Sequence, residues 1–328
     1  MKRFFFVVII FNYEKYNKHI VTIGRRNFLL KQSLKDIFPS EILNFIEMYD
    51  VQDNLQEIRV KINKPCILIY HNKEKISDFI VNNDEFKFIL SRISNYSLYA
   101  FEEDIKQGFI TISGGHRVGI AGECVIENGA VKTIRNIASL NFRICREIIG
   151  ASKKVERYIF SDNKIYNTII ISPPKCGKTT ILRDIARNLS DRGNKVTIID
   201  ERSEIASCYQ GVPQMNIGIR SDVLDNCLKS QGMIMAVRSL SPDVIICDEI
   251  GKNEDVEALC TAFNSGVKII VTIHGYDICD VLKRDVFKKM IKNKLLDRAI
   301  VLTNFGGVGS VKNIYDLSTE GGEPLCLK

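Results

Sequence analysis

From residue 165 to residue 304 short apolar runs alternate with helical stretches, and that alternation admits few folds. Residues 165–172, 195–199, 244–247, 267–273 and 298–304 are rich in Ile, Val and other apolar residues, as strands buried on both faces are. Between them, residues 179–190, 221–239, 253–265 and 277–293 carry helical spacing. Strands separated by helices of this length are joined by crossovers. The expectation is therefore an α/β unit whose mainly parallel sheet is covered on both faces. The turn-rich tail from Gly306-Gly307-Val308-Gly309 onward is expected to add a terminal hairpin.

Open α/β sheets take up ligands at the carboxyl ends of their strands. The first run ends in Ser172-Pro173-Pro174-Lys175-Cys176-Gly177-Lys178-Thr179-Thr180 and leads into a helix. Gly-Lys-Thr between a strand and a helix is the setting of a phosphate-binding loop. Its backbone N–H groups and the helix N-terminus cradle phosphate oxygens. Lys178 would reach the β and γ phosphates, and the Thr179 hydroxyl, with Thr180 beside it, would ligate Mg²⁺. The cofactors implied are ATP and Mg²⁺. The loop departs from G-x-x-x-x-G-K-[ST] at Ser172, where a conformational cost is expected for want of glycine. Lys175 stands where a second glycine is common.

Three other runs also end in polar groups. Asp248-Glu249 closes the run at 244–247: Asp248 is placed to hold Mg²⁺, and Glu249 to orient or deprotonate an attacking water. Asp200-Glu201-Arg202-Ser203-Glu204 follows the run at 195–199 and is either a second source of the water-activating carboxylate or a helix cap. His274 ends the run at 267–273, where it either polarises the γ-phosphate or is structural. Phosphoryl transfer benefits from a cation against developing charge, often from a neighbouring subunit. The candidates are Arg202, Arg220 and Arg238, with Arg117, Arg135 and Arg143 from the first half.

The first half is shorter in rhythm. Residues 31–49 read as helical with a break at Pro39, and 56–71 as two strands meeting near Asn63-Lys64-Pro65. Residues 84–93 read as a helix. Residues 108–131 read as a β-meander turning at Gly114-Gly115, Gly122 and Asn128-Gly129. The expected organisation is an extension at 1–25, a smaller α+β domain at 26–150 and the phosphate-loop domain at 151–328. Lys2-Arg3 and the apolar residues 4–11 resemble a short signal peptide without its small-residue cleavage site, and read better as a strand or an extension. No run reaches 18 apolar residues, so no transmembrane helix is expected.

Net charge is +7 over 328 residues, a mild excess. Lys283, Arg284, Lys288, Lys289, Lys292 and Lys294 surround a Leu282/Val286/Met290 stripe. We read this as a packed helix with a solvated basic face rather than a lipid or nucleic-acid contact. The first half holds no recognisable nucleic-acid module, and no nucleic-acid partner is expected. Ten cysteines without a C-x-x-C pair read as buried thiols rather than a disulfide or zinc framework.

Taken in order and spacing, these motifs resemble the type II/IV secretion ATPase superfamily, the traffic ATPases of secretion and pilus machines, in a sporulation-associated branch. The resemblance rests on 172–180 with Leu182-Arg183-Asp184, on 199–205, on 238–244 running into Asp248-Glu249-Ile250-Gly251, and on Thr272-Ile273-His274-Gly275. In the first half it rests on 114–119 and 137–143, and it spans about residues 28–315. It implies a RecA-like P-loop ATPase domain behind an N-terminal domain, assembled as a homo-oligomeric, hexameric ring. Nucleotide would lie between the two domains and near the next subunit. The acidic box falls on Asp200 through Glu204, the Walker B region on Asp248 and Glu249, and the histidine box on His274. Glu204, Glu249, His274 and Arg238 are carried forward as catalytic candidates, with the base open between the two glutamates. The implied setting is the cytoplasmic face of a stage III sporulation channel complex. Its membrane proteins would be the partners, membrane association would be indirect, and ATP hydrolysis would energise assembly or transport.

Overall fold

The computed structural model describes residues 34–49, 55–70, 73–95, 105, 108–161, 164–319 and 324–328. The extension at 1–25 lies outside the described residues, as do the first residues of the expected helix at 31–49. The chain divides into two compact units, one ending at Cys145 and one beginning at Arg146.

In the first unit α1 (Ser40–Tyr49) precedes β1 (Leu55–Lys61), β2 (Lys64–Tyr70) and β3 (Lys73–Val81). Then come α2 (Asn83–Ile93), β4 (Phe109–Ile112), β5 (His116–Glu127) and β6 (Ala130–Arg143). The six strands form one antiparallel sheet in the order β3-β2-β1-β6-β5-β4. Leu55, Ile58 and Val60 of β1 point into a core shared with Ile42 and Ile46 of α1 and Phe86, Ile89 and Ile93 of α2. Asn82 caps α2 by accepting from the backbone of Asp84 and Glu85, while the Glu85 side chain accepts from the Asn82 N–H. Two features go beyond the sequence reading. The charged stretch Lys73–Val81 is a strand because β2 offers it a partner. The meander continues past 131, with β6 running to Arg143 alongside both β5 and β1.

The second unit opens with a short helix, α3 (Glu156–Ile159), and a ribbon of β7 (Phe160–Ser161) and β8 (Lys164–Ile165). It continues with β9 (Thr168–Ser172), α4 (Lys178–Asp191), β10 (Val196–Asp200), β11 (Ser221–Asp225), α5 (Lys229–Ser239) and β12 (Val244–Cys247). After α6 (Asn253–Asn264) and β13 (Lys268–His274) come α7 (Ile278–Leu282) and α8 (Asp285–Lys292). The chain finishes with β14 (Arg298–Thr303), β15 (Ser310–Asp316) and β16 (Leu325–Cys326). The sheet order is β11-β10-β12-β13-β9-β14-β15-β16; the first six strands are parallel and the last two antiparallel.

Every residue of β9, β10 and β12 is buried, which explains their largely apolar sequences. Alternate residues feed two cores. Ile169, Ile171 and Ile245 pack with Met233 of α5, Leu259 of α6 and Phe287 of α8. Ile170, Ile198 and Ile246 pack with Ile181, Leu182 and Ile185 of α4. The sheet is thus covered on both faces. The chain leaves β9 for β10 on one side and later places β14 on the other, so the carboxyl end of β9 is a topological switch point.

Two expected helices are corrected. Residues 221–225 form an edge strand, not helix: Ser-Asp-Val-Leu-Asp pairs residue by residue with Val196–Asp200, and the helix starts at Lys229. Residues 277–293 form two helices, not one. Arg284 between them is extended, and its guanidinium donates to the His274 carbonyl at 2.6 Å. Val281, Phe287 and Met290 are buried, so this basic stretch is packed through its apolar side. Among the described residues no helix is long and apolar enough to cross a membrane.

Candidate nucleotide site

The loop at 173–177 leaves β9 and delivers Lys178 to the first turn of α4. Gly177 caps that helix with φ of 82°, a left-handed backbone that favours glycine. The structure relocates the cost of the degenerate loop. Ser172 carries no glycine-requiring backbone: it is the fully buried last residue of β9, paired with His274, and its carbonyl accepts the Gly275 N–H at 3.2 Å. The left-handed residue is Lys175, with φ of 60°. Pro174 and Lys175 are exposed, Pro173 and Thr180 are half-buried, and Cys176 is buried with its Sγ 3.6 Å from the Pro174 carbonyl oxygen.

Opposite the loop, β12 ends at Cys247 and hands over to Asp248-Glu249. Lys178 Nζ donates to Glu249 Oε1 at 2.5 Å and lies 3.3 Å from Asp248 Oδ1. Thr179 Oγ1 donates to Asp248 Oδ2 at 2.8 Å. Burial opposes the charge on Lys178, but Asp248 and Glu249 outweigh it and hold the ammonium above the usual lysine range. Burial likewise opposes the Glu249 carboxylate, and Lys178 and then Arg202 hold it below the ordinary glutamate range. Arg202 reaches the second oxygen of Glu249 at 2.7 Å. Glu249 itself has φ of 53°, a rare conformation for a side chain of its size.

That corner is held from β13 by a residue whose role the sequence did not reveal. The hydroxyl of fully buried Thr272 donates to Asp248 Oδ1 and accepts the Glu249 N–H, the latter at 2.8 Å. Its carbonyl accepts the Ile250 N–H at 2.8 Å. A hydroxyl at the strand end just before the expected histidine was the available signal. His274, two residues on, is half-buried and meets Tyr276 edge-on at 6.2 Å.

The acidic box resolves into an anchor and a presented loop. Asp200 accepts from the backbone N–H groups of Glu204, Ile205 and Ala206 at 2.8, 2.8 and 2.9 Å. Burial pushes its carboxyl up to about 6, against the pull of those N–H groups. From the other side, buried Arg183 of α4 donates to the carbonyls of Glu204 and Ile205. No helix follows β10, so the helix-cap reading is corrected: Asp200 anchors a loop, and Glu204 is fixed through its backbone and is not among the groups bonded to Lys178. Glu201 pairs with Lys229, and Ser203 donates to Asp225 Oδ1 at 2.6 Å.

The arginine candidates disperse. Arg202 reaches the site, and Arg220 is tied to Ser190 at the carboxyl end of α4. Arg238 is exposed on the last turn of α5, which leads into the amino end of β12, the edge of the sheet away from Lys178. Arg117, Arg135 and Arg143 belong to β5 and β6 of the first unit.

A parallel sheet with Lys178 and Thr179 on one strand–helix junction, and two acids one strand removed, defines a RecA-like P-loop protein. The fold is that of secretion ATPases. The Legionella pneumophila ATPase DotB is similar at a TM-score of 0.55 and 15% identity, over 88% of this chain and 80% of that one. The pilus retraction motor PilT, solved with bound ADP, is similar at 0.56 and 15% identity, over 80% of this chain and 76% of that one. Residues 29–321 match the model of the family described as sporulation stage III, protein AA, and the chain belongs to that family. Stage III sporulation protein AA of Bacillus subtilis (strain 168) is 43% identical over 291 residues, covering 86% of this chain and 94% of that protein.

Proposed function

We propose that the chain binds ATP with Mg²⁺ at Lys178 and hydrolyses it, as the energy source of a sporulation-specific, secretion-like channel. The observation that carries this reading is the convergence of Lys178 and Thr179 on Asp248 and Glu249. Thr179 Oγ1 and Asp248 Oδ2 are hard oxygen donors 2.8 Å apart, the type of ligand Mg²⁺ prefers. Among the described residues no group of three His, Cys, Asp or Glu could hold a metal, so the other ligands would be phosphate oxygens and water. Mg²⁺ bound there would neutralise charge on the phosphates.

The chain's own residues supply the rest. Lys178 exchanges its carboxylate partners for phosphate oxygens. Glu249, released from Lys178 and still held by Arg202, orients and deprotonates the attacking water. His274 lies on the strand beside β9, where it can sense the terminal phosphate, and Arg238, away from Lys178, would act across a subunit boundary. The family match supports a sporulation setting, and within it the chain would act as a hexameric ring docked through membrane proteins of a stage III complex at its cytoplasmic face.

The test is steady-state turnover of Lys178→Ala, Glu249→Gln and Glu204→Gln. Lys178→Ala should lower kcat/KM by about a hundredfold or more, as loss of a charge-stabilising donor does. Glu249→Gln should lower kcat while ATP binding persists. If Glu204→Gln alone abolishes turnover, the base assignment moves to the acidic box.

A further inference from the structure

Two large apolar side chains stand exposed beside the phosphate loop. They lie on the β14–β15 connection, Asn304-Phe305-Gly306-Gly307-Val308-Gly309, where Phe305 is 89% and Val308 73% exposed. The connection is fastened to the loop that carries Lys178. The Gly309 N–H donates to the Cys176 carbonyl at 3.0 Å, and a methyl group added at Gly177 would lie 2.8 Å from Val308 Cγ1. A methyl group added at Gly309 would lie 3.8 Å from Ile181 Cδ1 in the first turn of α4. The connection is also a formed turn: the Phe305 N–H donates to Thr303 Oγ1, the Gly307 N–H to the Asn304 carbonyl and the Ser310 N–H to the Gly307 carbonyl.

We infer that Phe305 and Val308 form the seat for the nucleobase of the bound nucleotide. The inference rests on the nucleotide reading above and adds the part of the ligand that reading leaves unplaced. Asp248, Glu249 and Thr272 come from β12 and β13, on one side of β9, and fix where the metal and the terminal phosphate belong. A nucleoside triphosphate is elongated, so its base leaves on the opposite side. There β14 is the next strand, and its exit turn lies on Gly177 and the start of α4. A planar heteroaromatic ring suits the apolar pair chemically: every base has a π-face, and stacking on an aromatic side chain is sequence-tolerant. A seat built on a hydrogen-bonded turn needs little ordering on binding.

The test separates base from phosphate by using inorganic tripolyphosphate, which has no base. The chain has no tryptophan, so Phe305→Trp introduces a single indole as reporter. ATP with Mg²⁺ should quench that indole, and tripolyphosphate with Mg²⁺ should not. By calorimetry, Phe305→Ala/Val308→Ala should bind ATP about tenfold more weakly than the unsubstituted chain, since stacking on this scale is worth about 1–3 kcal/mol. Its tripolyphosphate affinity should stay within about twofold. Unchanged ATP affinity would overturn the seat, most plainly if the double variant instead altered the mass distribution of the oligomer. Equal weakening of ATP and tripolyphosphate would overturn it too, because the turn would then only brace the phosphate loop. If the unsubstituted chain binds neither ligand, the nucleotide reading falls and the seat with it.

Discussion

Lys175, not Ser172, is the residue at which the phosphate loop departs from ease. A left-handed backbone costs a residue with a Cβ roughly 1 kcal/mol or more, and Lys175 adopts it while Ser172 sits in a strand. Restoring the consensus glycine at 172 should therefore not improve the site. Ser172→Gly is expected to lower stability by about 0.5–1 kcal/mol in denaturant melts, with unchanged ATP affinity. A second residue makes the first unit sensitive to acid. His116 is buried, accepts the Cys145 N–H on Nδ1 at 3.1 Å, and burial pushes its pKa down to about 4. The folded state thus binds fewer protons than the unfolded chain between about pH 6.5 and pH 4, and stability is lost as pH falls through that window. The loss should approach about 3 kcal/mol by pH 4. His116→Gln should flatten that slope in urea titrations followed across the window; an unchanged slope would remove His116 as its source.

The decisive contacts at the level of elements are those between β12 and β13. Thr272 ties the Asp248-Glu249-Ile250 corner to the neighbouring strand through its hydroxyl and its carbonyl. Thr272→Val keeps the shape but leaves the Glu249 N–H without its acceptor, at a cost of about 1–3 kcal/mol. We expect kcat to fall by about tenfold or more while ATP affinity holds, and Thr272→Ser to recover most of it. Equal activity in Thr272→Val would show that the corner holds its geometry without the hydroxyl. This pairing also shows what could be read in advance. Gly-Lys-Thr and Asp-Glu were legible because each is a short string at the end of an apolar run. Thr272 was not, and Arg202 stood out only as one of six arginines, because their meaning depends on which strands become neighbours. The misreading of 221–225 has the same origin: a five-residue segment turns into strand only when β10 offers a free edge. The break at Arg284 likewise depends on a carbonyl ten residues away, at the end of another element.

For the molecule as a whole, the sequence marked out the parallel sheet of the second unit almost strand by strand, since burial on both faces leaves a continuous apolar signature. The first unit was less legible: its two three-stranded halves are joined only by the β1–β6 pairing, between strands far apart in sequence, and β3 carries four charged residues among its nine. The similarity to DotB and PilT concerns the fold, while the ring is our proposal for this chain. Mass measurement of the purified protein should show a six-chain species in the presence of ATP and Mg²⁺; a mass of one chain under all nucleotide conditions would remove the ring. We propose that Lys178, facing Asp248 and Glu249, makes this chain an ATPase. This is tested most directly by phosphate release from ATP and Mg²⁺, with the unsubstituted protein and Lys178→Ala compared on preparations of equal oligomeric state. Turnover should be measurable in the first and lost in the second; equal rates in both would remove Lys178 from the reaction.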